Sequence, residues 1–432
     1  MAERSRPTLL EAAKPVVTRP NHARCRICGT GLPTPFLDFG PMPLANAFLR
    51  SLDEAAREPR YPLAVCSCEG CGLVQLNHVV PAEQLYRNYI YVSSTSEAVR
   101  AHAQWLAREL PRRYGWQYSS SLLVVEVASN DGTVLKAFLD QGLPVLGVEP
   151  AANIAALAEQ AGVATAVKFF NTSNAKELRE RHGKAAAILG RHVFAHVNDV
   201  HDFLNGVDTL LADDGVFLVE VPYAGTLLEH LEFDTIYHEH LSYFALGPVA
   251  QLCQDHEFEL VDIDEVNLHG GSVLLHIRRR GRGAVSQRLR AMLEEERRKA
   301  LTSPRTWTAF ARRVRRWRET FEQFIDDRIR QGARFIGYGA AAKANTLLNC
   351  CPEAAAKLDG ILDRSPLKQG RFTPGTHLEV RPVERWTDSR ATHMLILAWN
   401  LAEEIVRQMR PFAERGGRFA VPIPEPRVLA DS

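Results

Sequence analysis

The feature that most limits how this chain can fold is an alternation that begins at Leu122. The apolar run "LLVVEVA" leads into the turn "SNDG" and the helical stretch "TVLKAFLDQG", then into "PVLGVEP" and "AANIAALAEQAG". "AAAILGRHVFAHV" and "VFLVEVP" add two more apolar runs, and Gly142 and Gly162 close the two helices. Short β-branched runs of this kind are strands covered on both faces, and the helices between them carry the chain back so that the strands lie parallel. A second, smaller unit of the same kind starts at residue 334 with "RFIGYGAAAKANTLLN", "LDGILDRSP" and "HMLILAWN". The fold class is α/β, with two such units.

The 432 residues suit two or three domains. The formal net charge of +1 gives no field that would gather nucleic acid or an anionic membrane. No apolar run reaches the roughly 18 residues of a spanning helix, and the first 22 residues lack the apolar core of a signal peptide. The expectation is a loose N-terminal tail over 1–22 and a cytoplasmic protein. Residues 97–114 read as an amphipathic helix, and 266–278 as strand around a Gly-Gly turn. Residues 284–331 read as helix, with Trp307, Phe310, Trp317, Phe321 and Phe324 packed inward and solvated charge outside.

Five of the eight cysteines fall between Cys25 and Cys71. Cys25-x-x-Cys28 and Cys68-x-x-Cys71 are two knuckles separated by the loop from Gly29 to Ser67. Each can hold one face of a tetrahedral ion, and together they complete a zinc site. Four sulfurs leave no position for a substrate, so this zinc would hold the fold. Cys66 is a spare thiol in the same stretch.

The first α/β turn carries Glu126 at a strand end, then Ala128, Ser129, Asn130, Asp131 and Gly132. The next strand ends in Glu149 and Pro150, where an acid can bond a ribose diol. Dinucleotide folds put a glycine-rich turn against a pyrophosphate; one glycine here favours S-adenosylmethionine (SAM). The methyl of Ala128 is tolerable if φ is negative. In the second unit Tyr338, Gly339, Ala340, Lys343, Asn345 and Thr346 lie around a helix start, whose small residues serve either phosphate binding through free N–H groups or close packing of strand on helix. Asp363, Lys368 and Arg371 follow the next strand.

The run "IYHEH", Ile236 to His240, concentrates proton-handling groups. Zinc ligation, a structural polar cluster and acid–base catalysis are all open to it. His238 and His240 alternate as on a strand and could share one face.

Taken in order, "DFGPMPLANAF", "YPLAVCSCEGCGLVQL", "YVSSTS", "EVASNDGT", "AHVNDVHDF", "IYHEHLSYF", "LHGGS", "GYGAAAKANTLLN", "DRSPLKQGRFTPGTH" and "LAWN" resemble the zinc-containing sugar C-methyltransferases of deoxysugar biosynthesis in antibiotic pathways. The resemblance runs from about Cys25 to Asn400 and departs from the family pattern at Ala128, Gly190 and Arg191. It implies a zinc-binding domain over 23–96, a class I, Rossmann-like SAM domain over 97–282, and a helical connection with a Rossmann-like sugar-nucleotide domain over 283–432. It implies structural zinc and SAM as cofactors and a nucleoside-diphosphate 4-keto-6-deoxysugar as substrate. His240 is then the catalytic base, with Tyr237, Glu239 and Tyr91 beside the sugar and His238 structural. His196 joins the cofactor residues and Asn400 the substrate residues. Such a base would draw a proton from the carbon next to the ketone, and that carbon would take the methyl group. Nucleic-acid and membrane partners are not implied, and a monomer is preferred. Two other functions stay in view: an O- or N-methyltransferase of another small molecule, and a zinc-ribbon binding protein with a degenerate methyltransferase domain.

Overall fold

The structure is a computed structural model that describes residues 20–86, 92–116, 122–268 and 270–430. The cysteine-rich part holds β1 (Leu37–Pro43), β2 (Arg60–Ser67) and β3 (Val74–Leu76). Then come β4 (Leu123–Val127), β5 (Val145–Val148), β6 (Thr165–Ala166), β7 (Ala185–Arg191) and β8 (Leu211–Pro222). A short strand β9 (Ser242–Tyr243) precedes β10 (Phe258–Val266) and β11 (Ser272–Arg279). The last part holds β12 (Phe335–Tyr338), β13 (Leu358–Asp363), β14 (Val380–Pro382), β15 (His393–Ile396), β16 (Arg418–Val421) and β17 (Arg427–Val428).

These strands make three sheets. The middle one runs β10-β11-β8-β7-β4-β5-β6, parallel from β6 to β8 and antiparallel in the β8–β11–β10 edge. Its parallel strands are apolar because helices cover both faces; Val124, Val125, Ile188, Leu189, Phe217 and Leu218 are all fully buried. Asn171 and Asp199 start two of those helices by accepting bonds from Asn174 N and Asp202 N. The C-terminal sheet runs β14-β13-β12-β15-β16-β17 and is parallel except at β17. The small sheet, β1-β2-β3-β9, is antiparallel and borrows β9 from the segment just after His240. One apolar core joins this small sheet to the helix Pro304–Arg330 and to β12, β13 and β15.

Each α/β sheet reverses direction beside its first strand. In the middle sheet the reversal lies between β4 and β7, in the last between β12 and β15. Open α/β sheets bind ligands at the carboxyl ends of the strands flanking such a reversal.

Three local expectations need correction. The helical region 284–331 is two helices, Gln287–Arg298 and Pro304–Arg330, because Ser303-Pro304 starts a new one. The strand expected over 266–278 is a hairpin whose first arm begins at Phe258. Ile236 to His240 is a tight irregular loop, not a strand, so His238 and His240 do not share a face.

Candidate active site

The four cysteine sulfurs of Cys25, Cys28, Cys68 and Cys71 lie within 4.8 Å of one another. Tetrahedral zinc with bonds of about 2.3 Å sets its sulfurs roughly 3.8 Å apart; Cys25–Cys71 stands at 3.5 Å and Cys28–Cys68 at 3.4 Å. The residues fit a closed zinc site. Burial pushes the Cys66 thiol up to about 11, and it donates to Pro33 O, so it stays a thiol outside the cluster.

The two sheet reversals open onto one cavity of about 530 Å³. From the middle sheet it is lined by Glu126, Ala128, Ser129, Asn130, Glu149, Pro150 and Arg191. Glu126 Oε2 and Ser129 Oγ are buried there without a protein partner, which suits a polar ligand. Glu149 accepts from Asn130 N and Ala151 N, so this acid also ties the two turns together. Asp131 and Gly132 stand behind the wall: Asp131 accepts from Ser94 N, and Gly132, at φ +75°, packs on Ala158 and Val163. Ala128 is at φ +54°, so the condition for tolerating its methyl is not met and the residue sits in the left-handed region.

On the same cavity stand Tyr237, His240 and His196. Thr235 O accepts a bond from His240 Nδ1 at 2.8 Å. A carbonyl can only accept, so Nδ1 carries the proton and Nε2 has a lone pair. The Tyr237 hydroxyl donates to that lone pair at 2.9 Å. Desolvation holds the imidazole down at about 4, so it is neutral at pH 7. His196 lies 5.1 Å away, ring to ring, and Tyr86 OH bonds its Nδ1 at 2.8 Å. His238 is buried elsewhere, its Nε2 on Tyr61 O, and Glu239 is buried behind the wall with Asn46 Nδ2 donating to it at 2.9 Å. Burial raises the Glu239 carboxyl towards its neutral form. Tyr91 lies outside the described residues.

From the C-terminal sheet Ala341, Ala342, Lys343 and Lys368 reach the cavity. Lys343 Nζ, buried without a hydrogen-bond partner, stands 4.3 Å over the Trp399 ring and beside Glu232 and Asp234. Lys368 donates to Ala340 O. The other residues expected to bind substrate do not line this cavity. Tyr338 bonds Gln408, and Gly339, at φ +94°, packs on Ala398. Asp363 accepts from Ala340 N, Asn345 donates to Ala45 O, and Thr346 bonds its own helix. Arg371 and Asn400 are likewise outside the lining. Sequence reading missed Asn46, Tyr86 and His192, which do line it.

A SAM-type turn, a neutral histidine with a free-base nitrogen and a closed four-sulfur zinc knuckle define a zinc-bearing SAM-dependent methyltransferase. Three family models match in succession: a zinc binding domain over residues 25–86, a methyltransferase domain over 99–263 and a C-methyltransferase C-terminal domain over 267–424. The C-methyltransferase NovU of Streptomyces niveus is 38% identical over 411 residues, covering 94% of this chain and 96% of its own. The chain belongs to this zinc-containing C-methyltransferase family; SAM and a structural zinc are its cofactors. Two solved structures are more distant. The magnesium protoporphyrin IX methyltransferase of Synechocystis with bound SAH is 11% identical over 42% of this chain and 83% of that one, TM-score 0.33. A SAM-dependent methyltransferase of Anabaena variabilis is 16% identical over 45% and 100%, TM-score 0.33. No helix among the described residues is long and apolar enough to cross a membrane.

Proposed function

We propose that this enzyme methylates the carbon next to the ketone of a nucleoside-diphosphate 4-keto-6-deoxysugar. The observation that carries the reading is the shared cavity: His240, the Glu126–Asn130 turn and Lys343 with Lys368 line one space. Bound SAM supplies an electrophilic methyl group, held by the turn and by Glu149. His240 Nε2 removes the α-proton. Developing charge on the ketone oxygen needs a donor; the Tyr237 hydroxyl, turning from Nε2 to that oxygen, would supply it and free the Nε2 lone pair for the proton. Tyr91 is a proposed partner of the sugar, and Glu239 is proposed to act on it only through Asn46, which lines the cavity. Lys343, Lys368 and the N-terminus of the helix Ala342–Cys350 offer positive potential for the diphosphate.

The test is His240→Asn with candidate ketosugars and SAM. Loss of α-proton exchange in deuterated water and of methyl transfer, each by about 10²–10⁴-fold, is expected with zinc content and SAM affinity unchanged. Exchange at the wild-type rate would remove His240 as base. NMR showing the methyl on oxygen or nitrogen would remove C-methylation of this substrate.

A further inference from the structure

Arg191 ends β7, one strand from Glu126, with its side chain in the cavity wall and only 7% exposed. Its Nη1 stands 3.6 Å from Glu126 Oε1. On its other side lies Glu220 of β8, whose carboxylate is fully buried. Glu220 accepts from Arg191 Nε at 3.2 Å, from His102 Nε2 at 2.7 Å and from His192 Nε2 at 2.8 Å. Burying a carboxylate and a guanidinium costs free energy that packed apolar side chains would not. In the strand "VFLVEVP" every neighbour of Glu220 from Val216 to Val221 is apolar and buried, so an apolar residue there would continue the core. What Glu220 does is pin the Arg191 guanidinium at the floor of the cavity.

The floor therefore presents a guanidinium and a carboxyl group side by side. Arg191 has five donors in a fork, two of them turned to Glu220. Glu126 keeps Oε2 without a protein partner. A zwitterion with an ammonium and a carboxylate on one carbon matches that pair, and the amino-acid end of SAM is such a group. We propose that Arg191 binds the α-carboxylate of SAM while Glu126 Oε2 accepts from its α-ammonium, with Glu220 as the residue that positions Arg191. Burial lifts the Glu126 carboxyl to about 8, with Arg191 opposing. An arriving ammonium would draw it into its charged form.

The test uses binding alone, on the zinc-loaded full chain without sugar, so an error in the proposed substrate cannot alter it. Calorimetry compares SAM with decarboxylated SAM. A charge-assisted contact to the carboxylate should make wild type prefer SAM by about tenfold or more. Arg191→Gln is expected to bring the two within about twofold by weakening SAM alone, and Arg191→Lys to keep part of the preference, because it retains charge but not the fork. Equal weakening of both ligands, or no change in either, would overturn the proposal and leave Arg191 a strut between two acids. Should Arg191→Gln not fold, the same comparison on Arg191→Lys decides it: an undiminished preference, or an equal loss for both ligands, refutes it.

Discussion

Thr235 O decides what His240 can do. By accepting from Nδ1–H it holds the proton on that nitrogen and leaves Nε2 as the basic atom, and burial keeps Nε2 unprotonated. The folded pKa is below the ordinary 6.5, so the neutral form that the proposed base needs persists as pH falls and is lost only near pH 4. With SAM saturating, kcat/KM for the sugar, which then reports the SAM-bound enzyme, should thus show no limb from His240 between pH 8 and 5.5. A histidine at 6.5 would leave about a tenth of the rate at pH 5.5, and a limb at that position would show that His240 is not shielded. Ala128 gives a second expectation. At φ +54° an alanine is strained by about 1–2 kcal/mol. Ala128→Gly relieves this and gives back roughly 0.5–1 kcal/mol through unfolded-chain freedom, so urea unfolding should show a net gain of about 0.5 kcal/mol. A loss would mean the turn does not need a left-handed residue. At this scale the sequence made the cysteines, the turn and His240 legible, since each is a local pattern. Asn46 meets Glu239 across 193 residues and His102 meets Glu220 across 118, and no local spacing marks either pair.

Among the elements, β9 matters most for its length. Its Ser242 and Tyr243 pair with Gln75 and Val74 of β3, directly after the Cys68–Cys71 knuckle. Arg26, inside the other knuckle, donates to Leu241 O at 3.3 Å, and Leu76 N to the same oxygen at 2.9 Å. The loop bearing His240 is thus tied to the zinc sheet. That knuckle in turn packs against the break between the helices Gln287–Arg298 and Pro304–Arg330. A Cβ on Gly72, at φ +80°, would meet Thr302 Cβ at 2.4 Å and its Cα at 2.9 Å. Left-handed strain and overpacking together predict a loss of about 2–5 kcal/mol for Gly72→Ala. Gly142→Ala has the same φ and nothing within 4 Å, so it should cost only the strain. Equal losses in urea melts would show that the knuckle is not seated on Thr302. Ser303-Pro304 is a local signal for the helix break, and the continuous run of charge around it carries none. Strand β10 was hidden because Asp262 and Asp264 disturb its apolar pattern; in the fold Arg113, Arg288 and His276 pair them.

At the scale of the whole molecule, both α/β units could be read from the sequence, but not that their sheet reversals open on one cavity. That depends on a core shared by the zinc sheet, the helix Pro304–Arg330 and the last sheet, assembled from residues hundreds of positions apart. Zinc belongs to this assembly rather than to the chemistry. Its four sulfurs leave no open position, and among the described residues no ligating sulfur borders the cavity. The middle sheet has separate cores of its own. Removing zinc with a chelator should release β3 and with it Leu241 to Tyr243, so that amide exchange there rises and methyl transfer falls at least about tenfold, the scale of a misplaced catalytic group. SAM affinity should hold within about twofold, because the residues proposed to hold SAM belong mainly to the middle sheet. Replacing zinc by cobalt restores the same tetrahedral knuckle, and activity should return to within about twofold of the zinc enzyme. A cobalt enzyme with full metal content, restored exchange protection and altered turnover would instead give the metal a part in the reaction.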